Sequence, residues 1–303
     1  MSLTTARTPT TPLTWELTGP PHAPLVVVLG GISAHRHLCQ TESNPQPGWW
    51  DGIVGPGLAV DTRRQRVLGI DWHTDGAPVT TTDQADQLAT VLDELGGEAV
   101  HAIVGASYGG MVALAFAARH PTRVGRLVVI AAAHQTHPMA TAHRVIQRRI
   151  IRLGLAAGLP TEGVALARAL GMTTYRTAEE FAARFESGRD TASGAFPVEG
   201  YLDHGSQRFA ATWEPDRYLT LSESLDLHEV DPSAITVPLD LLGFHEDTLV
   251  PAWQLEELAR KCTAACRLEL VSSIYGHDGF LKEVESVGAF IHRALESEVR
   301  HAA

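Results

Sequence analysis

The chain has 303 residues, of which 44% are hydrophobic, and this length is sufficient for a large buried core. Its 35 acidic and 24 basic side chains give a formal net charge of −11, which disfavours binding to the phosphate backbone of nucleic acids. The sequence contains no run of about eighteen uncharged apolar residues, so we predict no membrane span.

The cysteines and the N-terminal segment of the sequence indicate the cellular compartment. The three cysteines, Cys39, Cys262 and Cys266, are an odd number in a long chain, which argues against a disulfide framework and favours a reducing cytoplasm. Because Cys262 and Cys266 have no second cysteine pair or histidine pair nearby, we expect no metal site. The N-terminal segment lacks the apolar region of a secretory signal. We therefore expect a cytoplasmic protein.

Short apolar runs rich in β-branched residues alternate with helical patterns along most of the chain. Runs of this kind are typical of strands buried on both faces of a mostly parallel sheet. The predicted strands are residues 24–30, 66–71, 101–106, 126–132, 237–244 and 266–273. Helical spacing of apolar residues predicts two helices, one with Leu88, Val91, Leu92 and Leu95 before Gly96 and Gly97, and one with Val284, Val287, Ile291 and Leu295. This alternation predicts an α/β fold.

The alternation breaks between residues 134 and 235. This stretch has helical signals, among them Thr177 followed three positions later by Glu180, the pattern of a capping box. It has little that resembles a core strand. We predict a core domain of residues 1–133 and 236–303, with a helical lid, residues 134–235, inserted in it.

Ser107 lies in a Gly-Ala-Ser-Tyr-Gly sequence that follows a predicted strand and precedes a predicted helix. This context is what a G-x-S-x-G nucleophile elbow requires. The glycines suit a strained turn on which side chains would collide with neighbouring backbone. Glycine and serine are also common in ordinary turns, so the motif needs catalytic partners elsewhere in the chain.

Candidate partners for Ser107 follow two later predicted strands. A serine nucleophile needs a base and an orienting carboxylate, and in α/β-hydrolases the chain order is Ser, acid, His. Asp247 follows the strand at 237–244, and His277 follows the strand at 266–273. Glu246 is the alternative acid, and Asp247 is preferred because its spacing to the following Leu-Val-Pro resembles that in the family named below. All three predicted residues lie after carboxyl ends of strands, where open α/β sheets place their sites.

An oxyanion hole requires two backbone N–H groups. One comes from the residue after the nucleophile, here Tyr108. The second is expected from the loop after the first core strand, where Gly31 is the candidate and Ile32 the neighbour that could replace it. The Gly30-Gly31 pair is also compatible with a simple tight turn.

Five segments together resemble one family, that of the homoserine O-acetyltransferases. They are residues 47–71, the elbow at 105–114, LARALGMTTYRT at 166–177, VEGYLDHGSQRF at 198–209 and YGHDGFL at 275–281. The resemblance extends from about residue 24 to the C-terminus and includes the lid. The elbow departs from the family's usual Gly-Gly-Ser, and GGISAHRH at 30–37 departs from its usual Leu-Thr-Gly loop.

The resemblance implies an α/β-hydrolase fold, a mostly parallel sheet flanked by helices with a helical lid. It implies ping-pong transfer of an acetyl or succinyl group from acyl-CoA to L-homoserine, on the way to methionine, through Ser107, His277 and Asp247. Arg168 would bind the carboxylate of homoserine with Tyr175 beside it, and Asp278 its ammonium group. No cofactor is implied beyond acyl-CoA as co-substrate. Family members are commonly dimers packed through the lid.

Alternative functions and roles remain open at this level. L-Serine differs from L-homoserine by one methylene, and a plain esterase or thioesterase would use the same three residues with water as acceptor. Arg168 is equally compatible with the lid surface, and Asp278 with the N-cap of the last helix. The cluster of Arg144, Arg148, Arg149 and Arg152 could attract the donor or form a solvated helix face paired with acids, and Arg36 could face a succinyl carboxylate or the surface.

Overall fold

Residues 4–7, 13–75, 78–191 and 193–297 are described by the computed structural model of the chain. The strands are β1 (Thr4–Arg7), β2 (Thr14–Thr18), β3 (Leu25–Leu29), β4 (Val54–Gly55), β5 (Val60–Asp61), β6 (Arg66–Ile70), β7 (Ala102–Ala106), β8 (Leu127–Ile130), β9 (Leu239–Phe244) and β10 (Cys266–Val271). The helices are α1 (Thr81–Glu94), α2 (Tyr108–Arg119), α3 (Pro138–Ala156), α4 (Pro160–Tyr175), α5 (Ala178–Arg184), α6 (Pro197–Ala210), α7 (Pro215–Asp226), α8 (Ala252–Lys261), α9 (Gly279–Lys282) and α10 (Val284–Glu296).

The main sheet has eight strands in the order β1-β2-β6-β3-β7-β8-β9-β10. β1 pairs with β2 and β2 with β6 in antiparallel fashion, whereas the pairings from β6 to β10 are parallel. β7 lies near the centre, between β3 and β8. The carboxyl ends of β7, β9 and β10 therefore meet at one edge of the sheet, which is where an open α/β sheet places its site.

All six predicted strands occur, and each strand is one to three residues shorter in total than its predicted range. The prediction of burial on both faces is wrong for β10, whose residues are partly or fully exposed because it forms the edge of the sheet. β2 was not predicted. Its five residues include only two apolar side chains, Trp15 and Leu17, and this is too short an alternation to separate the strand from the polar segment before it.

The sheet carries a hydrophobic core on each face. Consecutive residues of β3 point to opposite sides: Val27 packs in the cluster that contains α1 and α2, and Val28 packs in the cluster that contains α10. The two predicted helices are α1 and α10, and α1 ends as predicted, with Gly96 and Gly97 at positive φ angles of 117° and 75°. Both faces of the central strands are thus withdrawn from water.

Helices α3 to α7 lie in sequence between β8 and β9, so the described residues of 134–235 are mainly helical, as the sequence predicts. They have a small hydrophobic cluster of their own, formed by Ile151, Val164, Ala165, Ala167, Ala210 and Tyr218. None of the helices in the described part of the chain combines the length and apolar character needed to cross a bilayer.

The predicted capping box at Thr177 is only half formed. The Thr177 hydroxyl accepts a hydrogen bond from the backbone N–H of Glu180 at 3.1 Å. The Glu180 carboxylate does not return to the backbone of Thr177 but pairs with Arg176 at 2.7 Å. The Arg176 guanidinium has therefore replaced the backbone N–H of Thr177 as partner of the Glu180 carboxylate.

Candidate active site

Ser107 lies at the sharp turn between β7 and α2. Its φ of 53° and ψ of −122° are rare for a residue with a side chain, so the backbone is strained at this position. The flanking glycines make the turn possible: a Cβ on Gly105 would overlap the carbonyl of Gly109, and a Cβ on Gly109 would overlap the backbone carbonyl of Leu29. The sequence prediction of a tight strand-to-helix turn is confirmed.

A chain of hydrogen bonds joins Ser107 to His277 and Asp247. The Ser107 Oγ lies 2.8 Å from Nε2 of His277, and His277 Nδ1 lies 2.7 Å from Oδ2 of Asp247. Since an ionised carboxylate can only accept, Nδ1 carries the proton and Nε2 is free to accept from the serine hydroxyl. This is the arrangement that a serine nucleophile and its general base require.

The loop after β9 holds Asp247 in place. Its Oδ1 accepts hydrogen bonds from the backbone N–H groups of Leu249 at 2.8 Å and Val250 at 3.0 Å, and the side chain is fully buried. Glu246, the alternative acid, instead accepts a hydrogen bond from the backbone N–H of Ser273 at 2.8 Å. The contact with His277 is therefore made by Asp247.

The environment of His277 balances two opposing effects. Burial alone would lower the pKa of the imidazole, but the charge of Asp247 and its hydrogen bond more than compensate, and the pKa is raised above its ordinary value. A protonated imidazole at His277 is therefore stabilised by Asp247.

Two backbone regions could receive an oxyanion beside Ser107. Tyr108 is the first residue of α2, and the first N–H groups of a helix have no acceptor within the helix. Gly31 and Ile32 both line the cavity that contains Ser107. The carbonyl of Gly31 is held by the indole N–H of Trp72 at 2.9 Å, which fixes the orientation of this loop.

Ser107 and His277 open onto a cavity between the sheet and helices α3 and α4. It contains about 980 Å³ of empty space, part of it open to solvent. Its charged and polar lining residues outside the hydrogen-bonded trio include His143, Arg144, Gln147, Arg168, Tyr175, Ser222 and Asp278. The described residues contain no group of three or more His, Cys, Asp or Glu side chains arranged to hold a metal ion.

Arg168 and Tyr175, both from α4, line this cavity. The Arg168 guanidinium lies over the rings of Phe209 and Tyr175, at 4.6 and 5.3 Å from their centroids, and Nη1 lies 3.5 Å from the Tyr175 hydroxyl. Within the described ranges no carboxylate pairs with Arg168, and its Nε is buried without a hydrogen-bond partner. This cation is therefore available to an anionic ligand.

Asp278 contributes an anion to the opposite part of the cavity wall. It occupies the N-cap position of the short α9, but its side chain makes no capping hydrogen bond. Its Oδ2 accepts a hydrogen bond from Nε of Arg176 at 3.0 Å. The lining of the cavity that contains Ser107 thus includes two arginines, Arg144 and Arg168, and one aspartate, Asp278.

Comparison with known proteins places this site in a family. A family model described as alpha/beta hydrolase fold matches residues 24–284. The homoserine O-succinyltransferase of Xanthomonas campestris pv. campestris is 42% identical over 94% of this chain and 79% of its own length. The homoserine O-acetyltransferase of Thermobifida fusca is 30% identical over 93% of this chain and 86% of its own length. The serine O-succinyltransferase of Litchfieldella anticariensis is 32% identical over 89% of this chain and 88% of its own length. The chain belongs to the homoserine O-acyltransferase family. The predicted family, enzyme class and α/β-hydrolase fold are confirmed.

In this homoserine O-acyltransferase family member, sequence reasoning missed Arg176. It bridges Asp278 and Glu180, and its side chain is only 12% exposed. Thr177 adds a second link, since its hydroxyl donates to the carbonyl of Ile274 at 2.5 Å. The turn between α4 and α5 is thereby attached to the loop that carries His277. The sequence gives no signal of this attachment, because Thr177 and Glu180 have the spacing of an ordinary capping box.

The arginine cluster of α3 divides into two pairs. Arg144 and Arg148 point inward and both pair with Asp226 of α7, whereas Arg149 and Arg152 are exposed. Arg36, considered above for a succinyl carboxylate, pairs with Asp71 at 2.5 Å and is not among the residues that line the cavity. The expected solvated helix face therefore holds for Arg149 and Arg152 but not for Arg144 and Arg148.

Proposed function

We propose that this chain is a homoserine O-acyltransferase that transfers the succinyl group of succinyl-CoA to the hydroxyl of L-homoserine. The observation that carries the proposal is the Ser107–His277–Asp247 hydrogen-bond chain in a cavity that also presents Arg168 and Asp278. Succinyl is preferred over acetyl as donor because the relative with 42% identity is a succinyltransferase. The product, an O-acylhomoserine, belongs to a route to methionine, and the cytoplasm is the expected location.

The first half of the reaction forms an acyl-enzyme. The Ser107 hydroxyl attacks the thioester carbon while Nε2 of His277 takes its proton, and Asp247 stabilises the resulting imidazolium. The backbone N–H of Tyr108 and that of Gly31, or of Ile32, stabilise the negative charge on the carbonyl oxygen. Collapse of this intermediate breaks the carbon–sulfur bond, and the CoA thiol leaves with the proton returned by His277.

The second half transfers the acyl group. The homoserine hydroxyl loses its proton to His277 as its oxygen attacks the ester carbon on Ser107. The bond to Ser107 Oγ then breaks, and His277 returns the proton to the serine. No net change in oxidation or charge is needed, so the chain requires no cofactor besides the acyl-CoA co-substrate.

Arg168 and Asp278 supply the recognition of the acceptor. A guanidinium binds a carboxylate through two parallel N–H···O bonds, and a carboxylate binds an ammonium group. The amino acid is neutral overall, so one cation and one anion match it. Tyr175 supports this grip, because its hydroxyl and ring contact the Arg168 guanidinium. Water as acceptor would need neither charge, which argues against a simple esterase or thioesterase.

L-Serine is the second candidate acceptor. The serine O-succinyltransferase that is 32% identical to this chain favours it, and the two acceptors share both charged groups. They differ by one methylene, which a pocket distinguishes by only about 1–3 kcal/mol. The acceptor therefore has to be decided by measurement.

The lid, proposed as residues 134–235, also offers a surface for a homodimer. Leu153, Leu159 and Leu166 of the α3–α4 region are 71%, 56% and 60% exposed. Apolar side chains grouped on adjacent helices are typical of an interaction surface. Leu153→Glu combined with Leu166→Glu should then convert a dimer into monomers in sedimentation velocity, and a wild-type chain that sediments as a monomer would contradict this assignment.

CoA release by the purified enzyme tests the proposed function. Succinyl-CoA and acetyl-CoA are each tested with L-homoserine, with L-serine and without an acceptor. We expect the fastest sustained release with succinyl-CoA and L-homoserine, and O-succinylhomoserine as the product by mass spectrometry. Sustained release without an acceptor that neither amino acid accelerates would indicate a thioesterase and would contradict the roles of Arg168 and Asp278.

A further inference from the structure

Two consecutive residues after β6 hold the loop that follows β3. These two strands are parallel neighbours in the main sheet, so their carboxyl ends lie side by side. The indole N–H of Trp72 donates to the carbonyl oxygen of Gly31 at 2.9 Å. The carboxylate of Asp71 accepts a hydrogen bond from the backbone N–H of Arg36 at 2.9 Å. The loop from Gly31 to Arg36 is therefore fixed at both ends by the segment that leaves β6.

The position of Gly31 depends on hydrogen bonds and not on side-chain packing. Gly31 lines the cavity, and a Cβ built on it would meet none of the described atoms within 4 Å. Its carbonyl accepts from Trp72 and from the backbone N–H of Ala34, both at 2.9 Å. Because the peptide unit is planar, this carbonyl also orients the N–H of Ile32. The N–H groups of Gly31 and Ile32, the two candidates for the second oxyanion donor, thus flank a carbonyl that Trp72 holds.

Trp72 also contacts the residue proposed to supply the first oxyanion donor. Its ring lies edge-on to the ring of Tyr108, with centroids 4.8 Å apart and an interplanar angle of 75°. Both side chains are buried, with exposed fractions of 3% and 0%. The Tyr108 hydroxyl is held in turn by the hydroxyl of Ser224 at 2.7 Å. One indole therefore connects the two backbone regions that could receive the oxyanion.

The bond from Trp72 is not a general requirement of packing in this core. Trp15 belongs to the same hydrophobic cluster as Trp72, yet its indole N–H is buried without a hydrogen-bond partner among the described residues. A buried donor without a partner costs free energy, and this cost is accepted at Trp15. The two indoles therefore differ in one respect that can be tested: only that of Trp72 is bonded to the loop beside Ser107.

We propose that Trp72 is a positioning residue for acyl transfer, whose indole N–H holds the loop at Gly31 so that its oxyanion donor acts together with that of Tyr108. This inference deepens the proposed function and rests on its assignment of Ser107 as the acyl carrier. Oxyanion donors accelerate a reaction when they are in place before the charge develops. A displacement of about 1 Å is sufficient to slow a reaction about 100-fold. Trp72 acts through the loop, since it is not among the residues that line the cavity.

The test compares Trp72→Phe with wild type in the first half-reaction, without an acceptor. Rapid-mixing CoA release and intact-protein mass give the rate constant of acyl-enzyme formation at saturating succinyl-CoA and the donor concentration at half-maximal rate. We expect the rate constant to fall about 10-fold to 100-fold. The half-saturating concentration should change by less than about threefold, because the lost interaction favours the transition state and not donor binding.

Trp15→Phe is the matched control. It makes the same substitution in the same core but removes an N–H that has no acceptor among the described residues, so the rate constant should stay unchanged. Circular dichroism and urea unfolding give the folded fraction of both variants. If Trp72→Phe does not fold, 3-benzothienyl-L-alanine introduced at position 72 by nonsense suppression gives the same comparison. This residue keeps the shape of tryptophan and has sulfur in place of the N–H.

Three results would overturn the proposal. The first is a wild-type rate constant in the folded Trp72 variant. The second is an equal loss in Trp15→Phe, which would assign both indoles to packing, and the third is a raised half-saturating concentration with an unchanged rate constant, which would assign Trp72 to donor binding. Failure of the proposed function is distinguishable. Acylation of Ser107 that depends on Trp72 but never proceeds to homoserine contradicts the acceptor and leaves the role of Trp72 intact, whereas a wild-type enzyme that no acyl-CoA acylates contradicts both.

Discussion

The sheet and the lid contribute to the site in different ways. Ser107, Asp247 and His277 each follow the end of a strand by a few residues, at the same edge of the main sheet. Arg144 and Arg168 lie in the middle of long helices and reach the cavity only because α3 and α4 pack above the sheet. Each residue of the hydrogen-bonded trio is therefore positioned by the strand that precedes it, whereas Arg144 and Arg168 are positioned by packing between distant segments.

The two regions also differ in how they are stabilised. The lid has a hydrophobic cluster of its own. It is attached to the rest of the chain both by Leu221 and Leu225 of α7, which belong to the hydrophobic core beside α1 and α2, and by polar contacts. Tyr108 of α2 bonds Ser224 of α7 at 2.7 Å, and His228 after α7 bonds the Thr81 hydroxyl at 2.8 Å. Changes at these contacts should affect recognition and stability more than the chemistry of acyl transfer. Four predictions test this division, in decreasing order of effect.

Ser107→Ala tests the sheet side directly. The variant should form no acyl-enzyme, and its kcat should fall by about 10⁴-fold or more. The reason is that Ser107 Oγ is the hydroxyl that contacts Nε2 of His277, and alanine has no group to carry the acyl chain. Intact-protein mass after mixing with succinyl-CoA, together with CoA release, provides the measurement. A variant that keeps the wild-type rate would remove Ser107 from the mechanism.

The same substitution, glycine to alanine, should have opposite effects in the two regions. Gly109→Ala should lower the free energy of unfolding by more than about 2 kcal/mol, because the new Cβ overlaps the backbone carbonyl of Leu29. Gly200→Ala, at an open and exposed position of α6, should raise it by about 0.5–1 kcal/mol. Urea unfolding followed by circular dichroism compares the two, and similar small effects would show that the elbow is less constrained than its geometry indicates.

Arg176→Gln tests the attachment of lid to sheet. Without its guanidinium, Asp278 loses the hydrogen bond that holds it, and the KM for homoserine should rise about 10-fold to 100-fold. Acyl-enzyme formation should change little, since Ser107 and His277 keep their contacts. Arg184→Gln is the matched control, because Arg184 also approaches Glu180 but is 44% exposed. Equal losses in both half-reactions would indicate a purely structural role for Arg176.

The pH dependence of stability tests the contact at His228. Burial lowers the pKa of this imidazole from 6.5 to about 4, so the native state stays neutral where the unfolded chain is already protonated. The unfolded state then binds more protons between those values, and stability should fall by something of the order of 2 kcal/mol as the pH drops from 6.5 to 4. His228→Gln, which keeps an amide donor and acceptor, should flatten this dependence in urea titrations. An unchanged slope would assign the acid sensitivity to other groups.

Much of the sheet and its trio of residues could be predicted because their signals are local. Apolar runs mark the strands, and the elbow has a short motif whose glycines have a steric reason. The edge position of β10 could not be predicted, since exposure depends on which strands lie beside it. Arg36 could not be excluded from the site by sequence, because its pairing with Asp71 joins residues 35 positions apart.

By itself, the sequence determined the six parallel strands of the main sheet, helices α1 and α10, the elbow around Ser107, the acid and histidine that follow later strands, and the family. These features depend on neighbours within a few residues, for which residue type and spacing are sufficient. The tertiary structure alone decided that Arg176 holds Asp278 and that Arg144 turns toward the cavity. The physical reason is that a buried charge takes its partner from whatever packing brings within a few ångströms, and sequence distance does not limit that choice.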